Sequence, residues 1–437
     1  MYFQKRAACA AVGLLAGLAS FASPSFAETI LTKDAAIQRV LEASPSLEAA
    51  RARLAEMDAA ILQVRVKPNP TIGAEIENFT GTGPFTGLDR TELTVTYAQQ
   101  YERGNKRGLR TQLAQEKAGI TEAEWHVRRL DLIHVAEKAY VQAVGAKARV
   151  AALEAQLVIL RDIETAIRKR VTAGKDSELA AQNAAIRTLN ADNHLQEAKR
   201  QLDAARIALA GLWGDAAADF ALEATDVLVL PDAVTPVTPE AVLDAPDMEV
   251  WRKKEAAQSA ALKLEKAKAV QDPTVRVGLR YHQQTSDVAA VAGVSIPLAI
   301  HDTNKGNISR ARAAISRARF ESLEVERQLS SQLMMAHNRQ LSAFQMARQL
   351  DANRRAAETA KKLVIDRMAK GAASYLDVFA AQSLFADIEM QQLDAVTRFH
   401  LAQADINRLT ATYSTNAITP AAALTAEAED QNDREGN

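Results

Sequence analysis

The sequence predicts a mainly α-helical protein with a small β part, built as two tandem repeats, each a long helical hairpin joined to two strands. Three observations carry that expectation. No proline occurs between Pro84 and Pro231, or between Pro297 and Pro420. Because proline costs about 3 kcal/mol inside a helix, such gaps permit very long helices. Apolar residues within the gaps recur every three or four positions, the spacing of a helix face. Three landmarks also return some two hundred residues later: Pro70 at Pro273 (offset 203), Asn105 at Asn304 (199) and Gly174 at Gly371 (197). Duplication of one unit leaves that pattern.

Composition points the same way. The 437 residues carry a formal net charge of −1, which gives no footing for nucleic-acid binding. Aromatics are only 5% while Ala, Leu, Arg, Glu and Gln dominate, a mixture suited to long helices packed through small side chains.

Residues 1–27 read as a cleaved signal peptide. Lys5 and Arg6 form a basic start, an apolar alanine-rich run follows, and Ser25-Phe26-Ala27 offers small residues at the two positions a signal peptidase reads, with cleavage after Ala27. A membrane anchor is the weaker alternative, since the run is short. Cys9 precedes most of the run, whereas a lipidated cysteine would follow it. The mature chain is then without cysteine in an oxidising compartment, and its charge goes from −1 to −3 with loss of Lys5 and Arg6. No other apolar run approaches the ~20 residues of a spanning helix, so any membrane crossing requires a closed β-barrel.

The first repeat, 28–230, opens with a helix. Strands near 70–79 and 91–99 then follow by alternation: Ile72, Ala74 and Ile76 against Thr71, Glu75 and Glu77, and Leu93, Val95 and Tyr97 against Glu92, Thr94 and Thr96. The glycine-rich NFTGTGPFTGLDR between them suits a solvent-facing hairpin end. From Lys106 to Arg170 the chain reads as one helix of 65 residues, roughly 100 Å at ~1.5 Å per residue. Gly108, Gly119 and Gly145 soften it without breaking it. Val150, Leu153, Leu157, Leu160, Ile163, Ile167 and Val171 form its apolar seam. Gly174 supplies the left-handed turn, and periodicity resumes through Ile186, Leu189 and Leu202.

The second repeat, 231–415, begins in the Pro- and Asp-rich linker Pro231 to Pro246. It has strands near 274–282 and 289–297, the first alternating Val275, Val277, Leu279 and Tyr281 with Arg276, Arg280 and His282. Looser heptads run through Ile308, Ile315, Leu323, Leu329 and Leu333; Gly371 turns the chain, and Leu384, Ile388 and Leu393 continue it. The tail 416–437 is polar, acidic and expected to be disordered. The strands are of a length for a tilted bilayer crossing or for a small soluble β-domain, and alternation alone leaves both open. Four strands cannot close a barrel unaided, so a membrane reading needs several chains.

No catalytic constellation is present. GTGPFTG has the wrong spacing for a phosphate loop and no helix after it. His126 and His134 lie eight apart on a helix, too far for one metal by local spacing. An enzyme, a cofactor and a resident metal are therefore not expected.

The strand–helix repeat, the block KPNPTIGAEIENFTGTGPFTG and the block VAGVSIPLAIHDTNKGNISRARA resemble the TolC-type outer-membrane efflux proteins, and among them the cobalt–zinc–cadmium branch. The resemblance covers roughly residues 30 to 415. It implies a homotrimeric α-barrel with a shared 12-stranded transmembrane β-barrel in the outer membrane of a Gram-negative bacterium. It also implies a periplasmic helical extension, a periplasmic adaptor protein and an inner-membrane pump of the resistance-nodulation-division class. The implied function is an exit duct for divalent heavy-metal cations. A multidrug or type I protein-export duct of the same fold is the alternative, and a periplasmic coiled-coil scaffold is the rival from another class. The family's tip motif, an Arg, a Gly and Ser-x-Leu, is matched by Arg170, Gly174, Ser177 and Leu179 and again by Arg367, Gly371, Ser374 and Leu376. The resemblance makes these the adaptor-docking turns; plain turn formers are the bland alternative. Asp377 stands where the family tends to place an aspartate lining the closed tip, and three copies would form a ring that favours cations. An ordinary helix carboxylate is its alternative. Ala380 and Ala180 depart from the family where further acids could stand. QQYERGNKRG departs where a proline and paired glycines are usual, and leaves Arg103, Lys106, Arg107 and Arg110 to face lipid headgroups or solvent.

Overall fold

The computed structural model describes residues 30–223 and 228–413; the expected signal peptide, its cleavage site and the acidic tail 416–437 lie outside these. The chain opens with a two-residue strand β1 (Ile30–Leu31). Two helices follow, α1 (Lys33–Ala43), capped by the Thr32 hydroxyl accepting from Ala35 N, and α2 (Pro45–Arg65), which places proline in its first turn. Strands β2 (Thr71–Glu77) and β3 (Glu92–Gln100) lead into α3 (Lys106–Thr172), an unbroken helix of 67 residues. Helix α4 (Glu178–Gly211) returns and ends near the short strand β4 (Ala221–Leu222), which pairs in parallel with β1. The same order then recurs: α5 (Pro246–Lys268), β5 (Thr274–His282), β6 (Asp287–Ser295), the 65-residue α6 (Lys305–Ala369) and α7 (Tyr375–Thr410). No described helix is long and apolar enough to cross a membrane.

The long helices are held by the seam the spacing anticipates. Val150, Leu157, Leu160 and Ile167 of α3 are buried, with Leu153, Ile163 and Val171 packed alongside. Their partners differ from expectation. On α4 the buried face is Ala180, Ala181, Ala184, Ala191, Leu195 and Ala198, while Ile186 and Leu189 point outward. On α6, Ala311, Ala318, Ala336 and Ala347 are buried together with Leu333 of the expected heptad, whereas Leu323, and Leu384 on α7, are exposed. Small residues on one helix let the backbones of a pair approach while the large residues of its partner fill the seam.

Near the middle of the rods the repeats are tied together. Arg408 of α7 donates to Asp131 of α3 at 2.7 Å and to Asp247 of α5 at 2.7 and 3.1 Å. Asp405 takes His134 and Lys138, each at 2.9 Å. Burial pushes Asp405 up, yet these donors win and bring it down to about 2. The interrepeat linker is docked: Val242 packs with Leu333, Ala336 and Ile406, and the Pro239 carbonyl accepts from Ser330. The Tyr140 hydroxyl likewise pins Leu31 at 3.0 Å.

Candidate functional site

Both turns at the far end of the rods use one hydrogen-bond device. In the first, Gly174 takes φ +69°, its N–H donates to Val171 O at 2.9 Å, and Lys175 N–H donates to Arg170 O at 2.8 Å. In the second, Gly371 takes φ +74°, donates to Met368 O at 3.0 Å, and Ala372 N–H donates to Arg367 O at 2.8 Å. This is the Schellman pattern, in which a left-handed residue after the helix satisfies two orphan carbonyls. Open space surrounds both glycines, so the backbone conformation alone demands them. The two arginines share one position in this device, three residues before the cap. Ser177 and Ser374 are N-caps, accepting from Ala180 N at 3.3 Å and Asp377 N at 3.2 Å. Leu179 is 68% exposed and Leu376 53%.

The charges around the turns are not repeated. Arg170 pairs with Asp176 at 2.5 Å, where the second turn has Ala373. Asp377 instead accepts from Ser374 N at 2.8 Å and from Ser374 Oγ at 2.7 Å, completing a reciprocal capping box. Those hydrogen bonds hold its carboxyl below the ordinary aspartate value, so it is ionised at neutral pH. Two residues that spacing alone overlooks join the turns. Phe379 is buried in the core of the first hairpin, with Arg187 5.0 Å above its ring and Tyr375 edge-on at 6.2 Å. Their i,i+4 spacing in SYLDVFAAQ was the available signal.

At the opposite end the four strands form one antiparallel sheet, in the order β2-β3-β5-β6. Its registers place Ile72, Ala74 and Ile76 across from Tyr97, Val95 and Leu93, and these across from Val277, Leu279 and Tyr281. One face is thus continuously apolar and unprotected: Ile72 is 80% exposed, Leu279 59% and Val294 65%. The other face carries Arg280, which pairs with Glu77 and Glu92, each at 2.9 Å, and donates to Thr94 at 2.9 Å. Gly278 allows the close approach of β3, since a Cβ there would stand 2.3 Å from Val95 O.

Where sheet meets rods, two basic side chains expected to face headgroups or solvent are instead held by acids. Lys106 is buried, bonded to Asp272 at 2.8 Å and to Val270 O at 2.6 Å, and Arg110 is clasped by Glu102. Asp272 was out of reach of local inspection because it belongs to the other repeat, whereas Glu102 lies only eight residues before Arg110. Arg103 contributes its backbone N–H to Asp272 at 2.8 Å, and the side chains of Arg103 and Arg107 are exposed. Among the described residues no three His, Cys, Asp or Glu side chains are grouped to hold a metal ion.

Comparison with known proteins agrees with this geometry. The cobalt-zinc-cadmium resistance protein CzcC of Cupriavidus metallidurans is 27% identical over 391 residues, covering 87% of this chain and 90% of its own. The nickel and cobalt resistance protein CnrC of the same organism is 26% identical over 302 residues, covering 68% and 71%. Among solved structures, the outer-membrane channel OprN shares the fold with a TM-score of 0.70 at 18% identity, over 86% of this chain and 89% of that one. Residues 36–215 match the family described as outer membrane efflux protein. Over that stretch, within its first repeat, the chain is similar to outer membrane efflux proteins.

Proposed function

We propose that this protein is the exit duct of a three-part efflux pump in the outer membrane of a Gram-negative bacterium, and that its cargo is divalent heavy-metal cations. The observation that carries the duct reading is the sheet: an exposed apolar face, a charged opposite face and two open edges, mounted on helices ~100 Å long. In water such a face is a liability; in lipid it is the required surface, with the Arg280 cluster turned to an aqueous lumen. Four strands close nothing, so three copies are taken to supply twelve. The cargo reading is supported by likeness to proteins named for cobalt, zinc, cadmium and nickel resistance.

On this reading the duct does no chemistry and takes its energy from an inner-membrane resistance-nodulation-division pump. A periplasmic adaptor engages the two turns, where Leu179 and Leu376 offer apolar anchors beside Gly174 and Gly371. Asp377 keeps a charged, exposed carboxylate at the tip and so suits a cation-favouring ring at the closed end. The leader is removed after Ala27 without lipidation. Loss of the protein from its host should lower tolerance to zinc, cadmium or cobalt and leave drug tolerance unchanged. The reverse pattern assigns it to a multidrug duct. Release from membranes without detergent would leave only the periplasmic scaffold.

A further inference from the structure

Each repeat leaves a cleft where its hairpin joins its long rod, and the two clefts differ in what they could hold. The first, of about 420 Å³, lies between the end of α2 and the start of α3, with Lys67, Tyr97, Gln99, Tyr101 and Arg107 in its wall. Tyr97 belongs to the apolar row of β3, across from Ile72 and Val277. The ladder runs on past it, since Tyr101 N–H donates to Pro273 O at 2.9 Å. Alternation therefore puts Tyr101 on the same face, about 13 Å nearer the rods. Both tyrosines are exposed, as are Lys67 and Arg107. The other charges here are already matched: Glu102 clasps Arg110, and Asp272 holds Lys106. Lys67 and Arg107 thus leave the cleft positive.

We infer that this cleft holds the phosphate of an anionic glycerophospholipid from the leaflet nearer the rods. Lys67, Arg107 and the Tyr101 hydroxyl take the phosphate oxygens. Tyr97, farther into the apolar row, offers its hydroxyl to the glycerol esters and its ring to the first acyl carbons. Continuity of the cleft with the apolar face through Tyr97 favours a phosphate that carries acyl chains over a free one. The inference rests on the lipid-facing reading of the sheet and adds a ligand to it.

The second repeat supplies an internal control. Thr71 lies across from Ala98, and Thr274 across from Ser295, so β2 maps onto β5 by 274 − 71 = 203 and β3 onto β6 by 295 − 98 = 197. Asn105 maps onto Asn304 by 199. By these offsets Lys67, Tyr97, Tyr101 and Arg107 become Val270, Val294, Leu298 and Gly306. A cleft of about 410 Å³ persists there, but Lys268 in its wall is bonded to Glu265 at 2.6 Å and Asp302 adds a negative charge. Duplication kept the cavity, and the cation–tyrosine set is confined to the first copy.

The test takes the full-length protein in detergent, phosphatidylglycerol as the probe, and native mass spectrometry to count the lipid each chain retains. Wild type should keep one phosphatidylglycerol per chain in preference to phosphatidylcholine. Lys67→Gln with Arg107→Gln should weaken retention about 25-fold, as a base near a membrane surface contributes about fivefold. Lys67→Arg with Arg107→Lys keeps both charges and should restore it, while Lys268→Gln should change nothing. Retention that survives the double Gln variant, or that falls with Lys268→Gln, overturns the assignment. So does retention without preference for the anionic headgroup, which marks lipid that merely surrounds the sheet. Displacement by millimolar inorganic phosphate assigns the cleft to free phosphate and also overturns it. Protein released from membranes without detergent removes the lipid-facing reading first. Protein that needs detergent yet keeps no phosphatidylglycerol removes the site alone, so the two failures are separable.

Discussion

The two tip turns share a backbone and differ in their charges. Gly174 and Gly371 close their helices by the same pair of hydrogen bonds, and Ser177 and Ser374 start the next helices alike. Each turn then uses a nearby acid differently. Asp176 fastens Arg170 in the first, while Asp377 fastens the helix start in the second. The second turn also sends Phe379 into the core of the first hairpin. Duplication therefore preserved what the backbone needs, and the side chains that couple the halves diverged. The first turn is held from outside by its neighbour; the second is held by its own cap.

The largest effects should break what the turns have in common. Gly371→Pro removes an N–H that is bonded and imposes a negative φ, at a cost of about 3 kcal/mol or more. It should abolish metal tolerance while leaving the extracted oligomer intact, and Gly174→Pro should match it. Normal export by either variant contradicts the docking assignment. Gly174→Ala and Gly371→Ala should each cost about 1–2 kcal/mol, equally, because only the left-handed conformation is at stake and no neighbour obstructs the methyl group. Segment-resolved hydrogen exchange across residues 170–182 and 367–379 would show unequal losses if hidden packing contributes.

Smaller effects should separate the turns. Ser374→Ala should speed exchange at the start of α7 more than Ser177→Ala does at α4, because it also removes a donor to Asp377. Each loses an N-cap worth about 1 kcal/mol, and equal acceleration would mean the reciprocal half of the box contributes nothing. Acid sharpens the contrast. The Asp377 carboxyl is held below its ordinary value of 3.8 by Ser374. Its contribution is therefore complete above that value and disappears as pH falls through the depressed one. Exchange at α7's start should accelerate below pH ~3.8 in wild type and show no such step in Asp377→Ala; a step in both assigns it elsewhere. The smallest effect is Arg170→Ala, which should loosen only the first turn, as an exposed ion pair contributes little.

The fold was legible where chemistry is local. Proline-free gaps, the Val150-to-Val171 seam and the positive-φ glycines each depend on a few neighbouring residues, so they can be read along the chain. The strand bounds shifted by only a residue or two, to Thr71–Glu77, Glu92–Gln100 and Asp287–Ser295. What escaped involves partners remote in sequence. Lys106 looked like a surface base because Asp272 lies 166 residues away, from 272 − 106. Ile186, Leu189 and Leu384 looked like core because periodicity identifies a helix before it identifies which face is inward. The ribbon of β1 and β4 is too short to have a pattern.

The helices, the strands, the turns and their repetition follow from the chain read in order, since propensity, alternation and left-handed glycines act within a few residues. It takes the packed molecule to turn Ile186, Leu189, Leu323 and Leu384 outward beside inward alanines, to carry Phe379 between the hairpins, and to join β3 and β5 into one sheet with two free edges. Those outcomes depend on how closely distant backbones approach and which opposite charges meet in a place water leaves. No stretch of chain carries that information alone.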